Sequence, residues 1–527
     1  VKSFIRIFPV ILCITAALAA LAMLFHSVHL TRQVDVQHIS YAFQLLQSLH
    51  EGSPAEFFLT PKKYPMMLVV PLAVLYAGVL GFLRLTGTLP SFSAHDVEQI
   101  VFLDPSGIYF VTRLAALICG VLLVYTVYNI SKKIYPHVSP WFAVMLLLSS
   151  LMLLTFVTAM RPHVPEVFFT FLAFAVSYNF AQSKTRRNAL LAFGSATLAF
   201  CVLQNGLFAF IFPLWAWIYE EGRIDVSRLW KKPHWIAFLI GSFFLASIIG
   251  YPYLWKQVLV NHAVELGLGN DEDTIQSPWG FSGFKTLFTI LIGSETFLTV
   301  FALYAFVRHL RKIELLHPFL WSAVAYMACY ALLFGSIYWT PGRYFLPFVP
   351  FLAIIGGPAL ASLKKAHIPL AVIIAVIHLK FALLGFMPDT FDQARAYILQ
   401  DTRGTIATNI PHYFLDIPPT RASIGAPTME KEKFLLRLPE DLPFARSYIS
   451  LSQAEQADVV ALTSRMNINL SDQWIACAQF IAAQNTFGTM FLWSEVEWGL
   501  FYILKTQRLG SNIIVYCKEG DLQFEQS

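Results

Sequence analysis

Tyr109-Phe-Val-Thr-Arg-Leu-Ala-Ala-Leu-Ile-Cys-Gly-Val-Leu-Leu-Val-Tyr-Thr-Val-Tyr-Asn-Ile-Ser-Lys132-Lys133 is the stretch that decides the fold class. Between Leu114 and Ile130 it carries no charge, and about 20 apolar residues in a helix span the hydrocarbon core of a bilayer. It stops on two lysines. Runs of this kind recur along the chain, which is 57% hydrophobic and 13% charged, where an ordinary soluble domain is roughly 25% charged. The net charge of +5 is too small to suggest a nucleic-acid partner, and the basic residues stand between apolar blocks, where membrane topology accounts for them. Six cysteines are scattered without metal-type spacing, and the sequence leaves open whether Cys477 and Cys517 pair.

Further out from that stretch, the predicted spans are 7–28, 109–130, 138–160, 164–183, 189–204, 206–220, 234–254, 287–307, 317–338, 343–362 and 367–386. The first follows Lys2 and Arg6 and outlasts a signal-peptide core, so it reads as a retained helix. The expectation is an all-α polytopic membrane domain of about eleven spans over residues 1–387, followed by a small α/β domain over 388–527. Basic clusters at Lys132–Lys133, Lys184/Arg186/Arg187, Arg228/Lys231/Lys232, Arg308/Arg311/Lys312 and Lys364–Lys365 mark cytoplasmic loops. With Lys2 and Arg6 on that same side, the chain crosses an even number of times before Lys132. The apolar stretch Tyr64–Leu85, interrupted by Pro65 and Pro71, must then lie along or dip into the outer face. Residues 31–108 and the tail would both be outside. In the tail, Thr405–Thr408, Val459–Leu462 and Asn512–Cys517 read as strands and Ser471–Ala483 as a helix.

Ionisable groups at membrane depth are costly and point to function by default. Arg113 sits near the outer end of its span, and Glu295 lies inside another. An interhelical hydrogen bond is the ordinary structural alternative for both. The densest constellation is Met160-Arg161-Pro162-His163-Val164-Pro165-Glu166 at an outer turn. Arg161 offers a fork of donors suited to a phosphate. His163 and Glu166, three apart at a helix start, share a face and are candidate ligands for a divalent metal; alternatively Glu166 is only a favourable dipole partner.

Asp35 and His38 open an amphipathic outer helix in which Ile39, Ala42, Phe43 and Leu46 share a face. Asp35 is read either as a helix cap or as a functional acid. Lys62 and Lys63 on the outer side run against the positive-inside tendency and suit a lipid phosphate. Arg343 and Tyr344 stand at the mouth of a span bearing Pro347 and Pro350, as binding groups or as an interfacial anchor.

This order of features resembles the GT-C superfamily of membrane glycosyltransferases, in particular the protein O-mannosyltransferase and aminoarabinose-transferase-like group. The shared features are Asp35 before Tyr41–Leu46, the stretch from Tyr64-Pro65, Arg113-Leu-Ala-Ala-Leu, Arg161-Pro162-His163 before a Phe-rich helix, and Arg343-Tyr-Phe-Leu-Pro347. The chain departs from relatives that have Asp-Glu in the first loop, having Asp35-Val36, and from those with Asp where His163 stands. The resemblance implies transfer of a sugar from a polyprenyl-phosphate carrier to a glycan, lipid or protein acceptor at the outer face of a bacterial inner membrane. It implies Asp35 as general base, with Glu166 and His163 beside it. Arg161, Lys62, Lys63, Arg343 and Arg113 would bind the donor phosphate. His38, Glu295 and Tyr344 are further candidates, and no cofactor is implied beyond the metal. A transporter or flippase for a lipid-linked or small solute is the alternative, although no internal repeat appears and the charges gather at one face.

Overall fold

The computed structural model describes residues 2–25, 32–59, 66–93, 96–97, 106–157, 162–220, 223–225, 233–253, 282–312, 316–336, 342–363, 367–388, 390–401, 406–408, 459–463, 474–481, 506–507 and 513–518. Within them the chain is overwhelmingly helical. The helices are α1 (Lys2–Phe25), α2 (Arg32–His50), α3 (Pro54–Leu59), α4 (Val69–Leu85), α5 (Ser106–Ile134), α6 (Trp141–Leu148), α7 (Leu151–Phe156), α8 (His163–Ser183), α9 (Arg186–Val202), α10 (Ile211–Ile218) and α11 (Pro233–Gly250). There follow α12 (Ser282–Gly293), α13 (Thr296–Leu310), α14 (Leu320–Ser336), α15 (Val349–Ser362), α16 (His367–Phe386) and α17 (Thr390–Asp401). Each predicted span overlaps helix. Four described helices are long and apolar enough to cross a membrane, and α12 with α13, bent by 94° at their junction, make up to a fifth. Of the other predicted spans, the first falls on the 24-residue α1 and the rest on shorter or broken helices.

Small residues let these helices approach closely, as membrane helices require when lipid is as apolar as their side chains. Ala189, Ala192, Ala196 and Ala199 form a fully buried stripe on α9. On α15, a Cβ placed on Gly357 would come within 3.2 Å of the Ala143 backbone nitrogen, and one on Gly356 within 3.1 Å of the Phe301 Cβ. These glycines therefore set the distance of α15 from α6 and α13.

The hairpin α2–α4 has its own apolar cluster. It is built from Ala42, Phe43 and Leu45 of α2, Phe57 of α3, Val69, Leu72, Ala73, Tyr76 and Leu80 of α4, and Ile108 at the start of α5. The ring of Tyr76 stacks on Phe43 at 5.2 Å, and its hydroxyl bonds Thr112 Oγ1 at 2.5 Å. Within this cluster α4 meets only the first turns of α5, an arrangement in keeping with a helix that lies at one end of the bundle. Helix α2 begins at Arg32, so Asp35 is its fourth residue. That corrects the expectation that Asp35 heads the helix, and it removes the N-cap position from the possible roles of Asp35.

After α10, β1 (Tyr219–Glu220) pairs antiparallel with β2 (Arg223–Ile224). In the tail, β3 (Ile406–Thr408), β4 (Val459–Thr463), β5 (Trp474–Phe480) and β6 (Ile513–Lys518) form one sheet in the order β3-β4-β6-β5. β3 and β4 are parallel, and β6 runs antiparallel to both its neighbours. The helix predicted over Ser471–Ala483 is instead strand β5. Its alanine-rich sequence favours helix locally, but pairing of Ile475 with Cys517 and Ala476 with Tyr516 overrides that preference. Cys477 and Cys517 are disulfide-bonded across this pair, with Cα atoms 5.9 Å apart. Ile513 and Val515 of the sheet and Ala394 and Ile398 of α17 share one buried cluster with Phe381 and Leu384 of α16 and Ala19 and Ala22 of α1. The sheet is thereby seated on the Phe386 end of α16.

Candidate functional site

The N-terminus of α8 organises the site. Pro162 and Pro165 flank its first turn, where a missing amide costs no helical bond. His163 and Glu166 are both buried, Glu166 to 1% exposure. The Glu166 carboxylate accepts a bond from Thr170 Oγ1 at 3.3 Å, one turn along the same helix. Its position in the first turn favours negative charge through the helix dipole. The phenols of Tyr326 and Tyr330 on α14 lie close to this carboxyl group.

The 3-10 turn Gly342–Phe348 packs against this end of α8. Tyr344 meets the His163 ring edge-on at 5.8 Å and the Phe334 ring at 5.4 Å. The Arg343 guanidinium lies 5.6 Å from the Tyr344 ring, a cation–π arrangement that holds it beside the cluster. Residues 162–166 and 342–348, far apart in sequence, thus converge through His163 and Tyr344. Among the described residues no group of three His, Cys, Asp or Glu side chains could hold a metal ion. His163 and Glu166 offer two candidate ligands at most.

Arg113 is 2% exposed and donates from Nη1 to the Leu24 carbonyl at 3.1 Å. It satisfies a carbonyl in the last turn of α1, a favourable place for a cation. Glu295, also 2% exposed, accepts at Oε1 from Ser150 Oγ and from the Met152 amide, both at 3.0 Å. This is the interhelical role that its position in a span admits. The side chains of Asp35 and His38, and residues Lys62, Lys63 and Arg161, lie outside the described residues.

Sequence reasoning missed Thr170, Tyr326 and Tyr330. Their signal was present as two four-residue spacings, Glu166 to Thr170 and Tyr326 to Tyr330, which put each pair on one helix face. It also missed His378, whose Nδ1 meets Thr15 Oγ1 at 3.1 Å and whose Nε2 lies 2.9 Å from the Leu148 carbonyl at the end of α6.

No family model and no curated protein matches the sequence. Among solved structures, ArnT from Cupriavidus metallidurans bound to undecaprenyl phosphate matches with a TM-score of 0.51 and 12% identity, over 98% of each chain. The apo form of that ArnT matches with a TM-score of 0.50 and 13% identity, over 88% of this chain and 93% of the other. At that identity the likeness speaks for the architecture, which extends through the membrane helices and the tail together. The chain is similar in fold, along nearly its whole length, to ArnT.

Proposed function

We propose that this protein is a membrane glycosyltransferase that moves a sugar from a polyprenyl-phosphate carrier to an acceptor hydroxyl at the outer face of a bacterial inner membrane. The observation that carries this reading is the whole-length fold likeness to ArnT bound to undecaprenyl phosphate. The convergence of His163, Glu166, Arg343 and Tyr344 at one end of the bundle adds to it. The disulfide of the tail supports an outer location, since such bonds form and persist in oxidising compartments.

In the reaction, the acceptor oxygen bonds to the anomeric carbon as the bond from that carbon to the carrier's phosphate oxygen breaks. The acceptor's proton passes to Asp35, and the electron pair leaves on the polyprenyl phosphate. That leaving group already bears negative charge, so it needs cationic stabilisation more than a proton. Arg343 is pre-positioned for this by Tyr344, and Arg161, Lys62 and Lys63 are the further cations. A buried Glu166 among phenols orients polar groups of the donor or the acceptor.

The transporter reading draws on the two broken spans, because transporters unwind helices at their substrate sites. Here the open backbone groups at one break meet side chains, with His378 at the Leu148 carbonyl and Glu295 on the Met152 amide. That break is filled by the protein itself.

The test is binding of undecaprenyl phosphate to the purified protein in detergent, together with mass spectrometry of envelope lipids and glycans from a deletion strain. The expected result is saturable binding and loss of one hexosyl or pentosyl substituent. No binding and an unchanged envelope would overturn the proposal.

A further inference from the structure

We infer that Glu295 is a positioning residue, a spacer between two broken spans that seats α7 and so presents the start of α8. The inference rests on the site proposed above. Glu295 occupies the N-cap position of α13, where the α12–α13 pair bends by 94°. From there its carboxylate crosses to the second break, between α6 and α7. Oε1 accepts from the Met152 amide and from Ser150 Oγ, and Ser150 Oγ in turn accepts from the Leu153 amide at 3.0 Å. The open Met152 amide of α7 is therefore answered from another span and the Leu153 amide by Ser150 beside it, in surroundings where an unanswered amide is costly.

Helix α7 is short and leads directly to the site. Its last residue, Phe156, meets the His163 ring edge-on at 6.3 Å. Val157 follows, and its side chain fills the notch left by Gly120 on α5. A Cβ built on Gly120 would lie 3.5 Å from the Val157 Cβ. Any slide of α7 would move both contacts. Among the described residues the Glu295 side chain bonds Ser150 and Met152 rather than His163 or Glu166, so it acts through α7.

The Gly120–Val157 notch supplies a direct readout, because its Cβ separation suits a disulfide. In protein whose free cysteines Cys13, Cys119, Cys201 and Cys329 are replaced by alanine, the pair Gly120→Cys and Val157→Cys should cross-link rapidly under mild oxidation. Adding Glu295→Ala should slow cross-linking by about tenfold or more, the scale of leaving a buried amide without its partner. Without the engineered pair, Glu295→Ala should weaken undecaprenyl phosphate binding by a similar factor.

The conservative variants separate a spacer from a charge. Glu295→Gln keeps the length and an accepting oxygen, and should stay within about twofold of the parent in both assays, a difference well under one hydrogen bond. Glu295→Asp keeps the charge and caps α13 well, but it is one methylene too short to reach Met152, and should fall between the parent and Glu295→Ala. If Glu295→Ala does not yield folded protein, the Gln and Asp variants carry the test. Rescue by Asp and failure of Gln would overturn the inference, as would parental cross-linking or parental lipid binding in Glu295→Ala. Should the parent itself fail to bind undecaprenyl phosphate, the proposed function falls, while the cross-linking arm still decides whether Glu295 seats α7.

Discussion

At the scale of single residues, four charged or acidic groups in or near spans looked alike in sequence and separate in the structure. Arg113 and Glu295 are occupied with helix ends. Glu166 and Arg343 gather with His163 and Tyr344. Sequence gave the residue types and their depth, because depth follows from counting along an apolar run. It did not give partners, because a carboxylate capping a distant helix and one facing a substrate carry the same local signature. Asp35 remains the proposed base, and as the fourth residue of α2 it is past the capping position. Asp35→Asn should therefore fold normally and lower sugar transfer by about 10²–10⁴-fold, the usual loss with a general base. Glu166→Gln serves as the competing assignment in the same assay. Asp35→Asn protein with parental turnover would pass the role of base to Glu166.

At the scale of elements, the hairpin α2–α4 carries Asp35 and depends on a few contacts. Tyr76 is fully buried, stacks on Phe43 and joins α4 to α5 through Thr112. Thr112 also donates to the Ile108 carbonyl at 2.8 Å, so it keeps a partner if the phenol goes. Tyr76→Phe should thus cost about 0.5–1.5 kcal/mol, one hydrogen bond. Tyr76→Ala should cost about 3–5 kcal/mol, as large aromatic truncations do, and release the hairpin. Thermal unfolding in detergent and proteolysis within 31–108 would measure both. Equal behaviour of the two variants would mean that ring packing does not hold the hairpin. The amphipathic pattern of α2 was legible because apolar spacing reports a face directly. Strand β5 was not, because Trp474–Phe480 is a strand only by virtue of β6 beside it.

At the scale of the whole molecule, the alternation of basic loops and the disulfide argue for one topology. The prediction is that residues 31–108 and the sheet lie on the same, outer side. Cysteines introduced at Ser53 and Ser93, with the free cysteines replaced, should both react in intact cells with an impermeant thiol reagent. Cys477 and Cys517 should react only after reduction. Labelling at one introduced site alone would show that Tyr64–Leu85 crosses, and free thiols at 477 and 517 would place the tail inside.

By itself the sequence determined that this chain lives in a membrane, roughly where its helices fall and which polar residues to examine. Those properties depend on composition and spacing along one dimension, and a bilayer imposes its thickness on every span alike. Only the tertiary structure decided that 138–160 and 287–307 are broken, that Glu295 and His378 answer the first of these breaks, and that His163 meets Tyr344. The reason is that a helix break in a membrane is stable only when side chains from other spans satisfy its backbone, and those partners are distant in sequence.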